Sequence, residues 1–317
     1  MISVAKAGLL STIQDEGRPG HLAFGVPLSG AMDGEAYALA NLLAGNAPGA
    51  AAIEMTLLGG TFRFEDAAYV GIAGAEMEAS LDGERMPTGS AFPVPRGGVL
   101  AFSSALSGCR AYLAVRGGID VPPFLGSRST YTRGGVGGLH GRPLASGDRI
   151  PVGPAPPAPP PREVPPRHLP RYEGGISLRV LLGPQDDRFA PEGLAAFLGS
   201  AYSVTNRNDR MGYRLEGPAI RHRGGPDIVS DALLPGAVQV PGSGMPIVMM
   251  ADAQTVGGYA KIAAVIAADL PRLAQARRGD AVRFVACSQA EAVRALRKAR
   301  DRLAAIAAEL GGRRQGP

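Results

Sequence analysis

The amino-acid sequence predicts a mainly β fold of the α+β class, and three observations carry that prediction. The 317 residues include 45 glycines and 28 prolines, punctuation that suits many short elements joined by turns and not a helical bundle. Short apolar runs recur between glycine-containing turns through most of the chain. Helical periodicity is confined to a few stretches, the longest of them at the C-terminus.

Taken in order, residues 2–13 read as one strand or two, interrupted at Gly8. A polar loop, residues 14–20, is followed by Gly25-Val26-Pro27 and by Ser29 to Asp33. Asp33 is placed to cap a helix whose Ala36, Leu39, Ala40 and Leu43 share one face and which Gly45 closes. Six strands are expected between Ala51 and Phe102, at 53–58, 61–64, 69–72, 77–81, 91–94 and 99–102, with Asp82-Gly83 as a hairpin turn; the pattern suits a small barrel or sandwich. Another strand at 110–115 leads into a second polar, glycine-rich block, 116–142, and Gly147-Asp148 precedes a last strand. Residues 153–170 are rich in proline and poor in apolar side chains, as expected of a semi-rigid spacer between an N-terminal domain, 1–152, and a C-terminal domain, 171–317.

In the second domain, Ile176, Leu178, Val180 and Leu182 alternate as in a strand, and a short helix is expected near 191–198. The stretch from Gln239 to Lys261 is the most informative in the chain. A turn, Pro241 to Gly244, enters an apolar strand at 247–250, after which Asp252, Gln254, Thr255, Gly257, Gly258, Tyr259 and Lys261 follow together. Glycines there would let backbone N–H groups approach a ligand closely. A helix over 259–270 would point the positive end of its dipole at the same place. Residues 280–286 close the domain as a strand, and Ser288-Gln289-Ala290-Glu291 is a capping box for a helix to about Leu310 with Ala292, Leu296, Ala299 and Leu303 on one face. An Asp, an Arg and a Gly recur in both halves (Asp15, Arg18, Gly20; Asp209, Arg210, Gly212), a hint of duplication short of a repeat.

Composition excludes several classes. The formal charge is +5, but only Lys6, Lys261 and Lys298 are lysines, and the dense basic group, Arg294 to Arg302 with Arg313 and Arg314, lacks aromatic interleaving; it reads as a solvated helix face and not a nucleic-acid surface. No run reaches the about 18 apolar residues of a membrane helix, and the apolar patch at 7–10 is too short for a signal peptide, so a cytoplasmic location is expected. Cys109 and Cys287 stand apart, as reduced residues do. A phosphate-binding P-loop and a Gly-x-Ser-x-Gly elbow are absent, and Gly242-Ser243-Gly244 reads as a turn. His21, His140, His168 and His222 are isolated, so no metal site is expected.

What remains is a set of glycine-flanked loops carrying Arg, Asp, Gln, Ser and Thr. Arg gives bidentate contacts to carboxylate or phosphate, and backbone N–H groups stabilise an oxyanion. Turn formation explains many of the Gly, Asn, Asp and Ser residues, but no turn requires the charges of Arg128, Arg210 and Lys261.

The segments TIQDEGRPG (Thr12 to Gly20), GVPLSGAMD (Gly25 to Asp33), RGGIDVPPFLGSRST (Arg116 to Thr130), NRNDRMGYRLEGP (Asn206 to Pro218), GAVQVPGSGMPIVMMADAQTVGGYAKIA (Gly236 to Ala263) and RRGDAVRF (Arg277 to Phe284) resemble the allophanate hydrolase subunit 2, or biotin-dependent carboxyltransferase-like, family over nearly the full length. Relatives usually carry Pro-Gly-Asp where this chain has Arg278-Gly279-Asp280, which changes only a turn. The resemblance implies two tandem cyclophilin-like β-barrels with a few flanking helices. It also implies the role of the C component in an ATP-dependent 5-oxoprolinase, opening pyroglutamate to glutamate. The partners so implied are the other two 5-oxoprolinase proteins, a Kip-inhibitor-like B component and an A component, with ATP as co-substrate of the complex at an unlocated site.

On this reading Asp15 or Asp252 takes a proton and Lys261 stabilises charge. Arg18, Arg128 and Arg210 hold carboxylate or phosphate, Gln239, Gln254 and Thr255 orient the amide, and Ser29, Ser129, Gly257, Gly258 and Tyr259 complete the substrate contacts. No biotin is expected on this chain, which lacks an Ala-Met-Lys-Met segment. Two other readings share these motifs: a carboxyltransferase acting on urea or a related amide with carboxybiotin supplied in trans, and a Kip-type regulatory protein that binds a histidine-kinase inhibitor.

Overall fold

The computed structural model describes residues 1–172 and 174–312; Arg313 and Arg314 of the basic C-terminal group lie outside them. The chain forms two compact units. Unit 1 comprises Met1–Arg18, Ser29–Tyr172 and the chain from Arg300 onward, and unit 2 comprises Pro19–Leu28 and residues 174–299. The division therefore departs from a single cut along the chain at two places.

Unit 1 is built on a ten-stranded sheet. Its centre is the antiparallel pair Ala68–Leu81 and Val99–Val115. The sequence pattern breaks each of these into shorter runs, but the strands are continuous because register shifts between Gly74 and Ala79 absorb the interruptions, as β-bulges do. The Asp82-Gly83 turn has φ of 50° and 92°, the pair of positive values that a tight hairpin requires. Ile2, Ile13, Ile53, Phe62, Leu100 and Leu113 are wholly buried in the core of this sheet.

The helix Gly34–Ala44 packs in a second core of unit 1. Asp33 caps it by accepting from the Ala36 N–H at 2.9 Å, and Gly45, with φ of 72°, ends it. The helix approaches the sheet closely because Gly71 has no side chain: a Cβ there would lie 2.4 Å from the Ala40 carbonyl oxygen. Leu39, Ala40 and Leu43 share this core with Tyr69, Tyr112 and the Ile306 and Leu310 side chains of the C-terminal helix.

The expected spacer is only partly a spacer. Arg162–Glu163 pairs with Ser90 and Ala91, Val164 is wholly buried, and the Pro160 carbonyl accepts from the Tyr69 hydroxyl at 2.8 Å. Val164 and Leu169 supply the apolar contacts that a free polyproline segment lacks.

Unit 2 is a closed seven-stranded barrel in the order Ile176–Leu182, Lys261–Val265, Ala237–Gln239, Ile247–Met249, Gly212–Glu216, Ala201–Val204 and Ala281–Ala286. The last strand returns parallel to the first. Alternation along Ile176–Leu182 buries Leu178 and Val180, and Phe284 stacks on Phe197 of the helix Pro191–Gly199 with centroids 4.4 Å apart. Of the two barrels the resemblance implies, this one is closed, whereas the strands of unit 1 form one branched sheet.

One expectation is overturned: residues 259–270 are not a helix. They continue the strand Val256–Tyr259 into Lys261–Val265, and only Leu270–Ala274 is helical. Val256, Ile262, Val265 and Ile266 are β-branched and suit a strand, and pairing with Ile176–Leu182 and Ala237–Gln239 decides the matter. The dipole expected from a helix over 259–270 is therefore not available to the 252–259 region. The C-terminal helix runs Gln289–Gly312, capped by Ser288 and Glu291, whose side chains bond at 2.8 Å; Leu296, expected on its apolar face, is 36% exposed. The Arg278-Gly279-Asp280 turn is intact, with Gly279 at φ 91° and Asp280 accepting from the Arg277 N–H at 2.7 Å.

Candidate active site

In unit 1 the polar loops after two strands converge on Asp15. One of its carboxylate oxygens accepts from the Gly17 N–H (2.8 Å) and the hydroxyls of Ser127 (2.6 Å) and Ser129 (2.5 Å), and the other accepts from the Arg128 N–H (2.5 Å). A carboxylate offers about four lone-pair sites, two on each oxygen, so the donors crowd one oxygen of Asp15 and leave the other with a single partner among these four. Asp15 thus shapes the loop, tying residues 127–129 to Gly17.

Arg18 is wholly buried, donates to the Ser129 carbonyl and lies over the Phe124 ring at 5.8 Å from its centroid. Gly137 makes room for it: a Cβ at that position, where φ is 69°, would sit 2.8 Å from the guanidinium and against the Ser129 carbonyl. Arg128 contributes its backbone to the cluster, while its guanidinium pairs with exposed Asp120 at 2.9 Å.

Ser29 stands beside this cluster in a left-handed conformation, φ 53°. Its neighbours are pinned: the Ala31 N–H donates to the Asp15 carbonyl, the Met32 N–H to Glu54, and the Asp33 N–H to the Tyr112 hydroxyl, which itself donates to Glu54 at 2.7 Å. The Ser29 hydroxyl is buried with no hydrogen-bond partner among the described residues, as is the Gln14 side-chain carbonyl oxygen. Burying such atoms unsatisfied costs about 1–3 kcal/mol each, so both are suited to a ligand's polar groups.

In unit 2, Asp252 and Arg210 form a two-bond ion pair (2.9 and 3.1 Å), both being buried. The Asp252 N–H also donates to the Arg210 carbonyl. A second grouping surrounds Lys261, 4% exposed, whose ammonium donates to Asp231 (2.5 Å) and to the Ala232 carbonyl (2.9 Å). The lysine, and next the Ala232 N–H, hold the Asp231 carboxyl below the usual carboxylate range. Gln185 joins them, donating to Asp231 at 3.2 Å and accepting from the Lys261 N–H at 3.1 Å.

Gln239 is buried and donates to the Tyr259 carbonyl at 3.3 Å; Gly257 is where a Cβ would lie 2.7 Å from the Gln239 amide nitrogen. Gly257, Gly258 and Tyr259 belong to the strand Val256–Tyr259, which pairs with Asp227–Ala232 as a two-stranded ribbon. Thr255 is buried and holds this ribbon's end through its carbonyl to the Leu233 N–H, whereas Gln254 and Tyr259 are exposed.

The residues singled out from sequence thus fall into Asp15, Arg18, Ser29, Arg128 and Ser129 in unit 1, and Arg210 with Asp252, and Lys261 with Gln239 and Gly257, in unit 2. Gln14, Ser127, Phe124, Gly137, Glu54 and Tyr112 in unit 1, and Gln185 and Asp231 in unit 2, were not singled out. Gln14 and Ser127 carried a signal, since each adjoins a singled-out residue, Asp15 or Arg128, in the same polar loop. Guanidinium, amide and hydroxyl groups of this kind recognise carboxylate, carboxamide or phosphate. Among the described residues no three His, Cys, Asp or Glu side chains gather as metal ligands, and no helix is long and apolar enough to cross a membrane.

The family described as "Carboxyltransferase domain, subdomain A and B" matches residues 24–286. The C component of the 5-oxoprolinase of Escherichia coli strain K12 is 41% identical over 295 residues, covering 93% of this chain and 94% of the relative. Among solved structures, K. lactis urea amidolyase superposes with a TM-score of 0.91 at 30% identity, covering 96% of this chain but 20% of that one. The protein TTHA0988 gives a TM-score of 0.82 at 37% identity, covering 90% of this chain and 55% of that one.

Proposed function

The chain belongs to the carboxyltransferase domain family, subdomains A and B, and we propose that it acts as the C component of an ATP-dependent 5-oxoprolinase complex, completed by a Kip-inhibitor-like B component and an A component. The observation that carries this reading is 41% identity to a 5-oxoprolinase C component along 94% of that relative's length. The ring amide of 5-oxoproline is unreactive. In the proposed route the γ-phosphoryl group of ATP passes to the ring carbonyl oxygen and ADP leaves. Water then attacks the carbon, and the C–N bond breaks as nitrogen gains a proton, leaving an acyl phosphate. A second water attacks that carbonyl carbon, and phosphate departs with the original ring carbonyl oxygen, leaving the carboxylate of glutamate.

Arg18 supports this role as a buried cation in the unit that also buries the Ser29 hydroxyl and the Gln14 side-chain oxygen, groups matched to a carboxylate, a carbonyl and a ring N–H. Lys261 and Gln239 form the corresponding set in unit 2. Asp252, held by Arg210, keeps its loop in place in this state.

The test is 5-oxoproline-dependent ATP hydrolysis with glutamate release, measured for this chain alone and with the A and B components. Turnover in the full mixture only, with labelled oxygen passing from the substrate carbonyl to phosphate, is the expected result. Turnover in which the one new oxygen of the released phosphate comes from water and none from the substrate carbonyl would sink this route. A second reading, part of a carboxyltransferase acting on urea or a related amide, draws on the 0.91 TM-score to urea amidolyase; carboxylation of urea from carboxybiotin by an assembled mixture inert to 5-oxoproline would establish it.

A further inference from the structure

Unit 1 carries an apolar surface that neither its core nor the candidate site uses. Leu9 is 65% exposed, Leu106 56%, Leu58 43% and Leu57 40%. They are far apart in sequence but adjacent in the fold. The Leu9 N–H donates to the Leu58 carbonyl, the Leu57 N–H to the Cys109 carbonyl, and the Ala105 N–H to the Leu57 carbonyl, so the tips of three segments lie side by side. Leu57 has φ of 60°, a left-handed conformation that is unfavourable for a leucine. Nothing in the interior of unit 1 is gained by presenting a leucine outward in that way. Single exposed leucines need no explanation, but four together mark an interaction surface.

We infer that this leucine surface is where unit 1 docks a companion protein of the proposed complex, and the inference rests on that reading of the function. Two observations choose the occupant. First, the 37%-identical TTHA0988 uses this chain's equivalent as only 55% of one polypeptide, and K. lactis urea amidolyase uses it as 20%; in both the module is joined to further protein. Second, Glu76 pairs with Ser107 next to Leu106, and Glu76 and Glu78 are both exposed on the same side of their strand. An isologous pairing of two copies brings these acidic residues to one interface, whereas a different protein can offer an apolar patch bordered by Arg or Lys.

The experiment uses the full chain and its Leu9→Ser, Leu106→Ser double variant, with purified A and B components, in titration calorimetry and sedimentation velocity. Both substituted side chains are exposed, so the melting temperature should hold. The expected result is at least a tenfold weaker affinity for one component, since anchors at the centre of an interface carry most of its binding, and a milder loss for Glu76→Lys. Unchanged affinity in the double variant overturns the inference, as does a wild-type chain that binds neither component. A wild-type dimer that the variant abolishes would assign the surface to a second copy instead, and also overturns it. Failure of the functional reading is distinguishable: a complex that assembles through the leucines yet hydrolyses no ATP with 5-oxoproline leaves the docking surface standing.

Discussion

Replacing Asp252 by Ala tests whether the Arg210–Asp252 pair is chiefly a brace of unit 2. Both side chains are about 5% exposed and are joined by two hydrogen bonds. Breaking a buried pair by removing one member costs about 3–5 kcal/mol. At about 2–4 °C per kcal/mol for a domain of this size, unfolding of unit 2 should shift down by roughly 6–20 °C. The chain has no tryptophan and eight tyrosines, so tyrosine near-ultraviolet circular dichroism, alongside the far-ultraviolet signal, is the assay. The double variant Arg210→Met, Asp252→Leu should recover most of the loss, because well-packed apolar residues can replace a buried pair at little cost. An Asp252→Ala variant melting within about 2 °C of the parent would refute the argument. A variant that keeps its melting temperature but abolishes turnover in the assembled mixture would return Asp252 to the chemistry.

Three further outcomes follow from the same geometry. Arg149 and Ser3 hydrogen-bond to Glu65 and lower its carboxyl to about 2; the stabilisation is present above the unfolded-state value and is lost as pH falls toward about 2, and carbon-detected NMR titration should find Glu65 near the ordinary value in Arg149→Gln. In Lys261→Met the Asp231 carboxyl should likewise rise toward the usual range, since the lysine is the main cause of its lowering; an unmoved Asp231 titration would contradict the pairing. Gly71→Ala should cost about 1–3 kcal/mol by overpacking, because the added methyl meets the Ala40 carbonyl at 2.4 Å, and a thermal melt equal to the parent's would show that the helix can withdraw.

Local chemistry made much of the fold legible. Asp33 and Gly45 bracket their helix, Asp82-Gly83 turns its hairpin, and Ser288 with Glu291 starts the last helix, because each acts on backbone groups within a few residues. What failed was long-range. The alanine-rich run after Tyr259 satisfies a helical pattern as well as a strand pattern, and only Ile176–Leu182 and Ala237–Gln239 settle which it becomes. The site shows the same limit: Asp15, Arg18, Ser129, Asp252 and Lys261 were recognisable by type, but not that Asp252 meets Arg210, 42 residues away, or that Lys261 meets Asp231, 30 away. Glu54 and Tyr112 sit inside strands, where nothing local separates a residue that holds a loop from one that fills a core.

The C-terminal helix begins with unit 2 and finishes with unit 1, where Ile306 and Leu310 are buried beside Leu39 and Leu43. During synthesis this ordering has a cost in time. The helix near residue 40 leaves the ribosome early, but the core it belongs to stays incomplete until residues 306 and 310 have been made and have cleared the exit tunnel. Until then an apolar face of unit 1 is open to water and to other chains. The first unit to be translated is consequently among the last to finish folding, and chains halted before residue 306 would expose that face permanently.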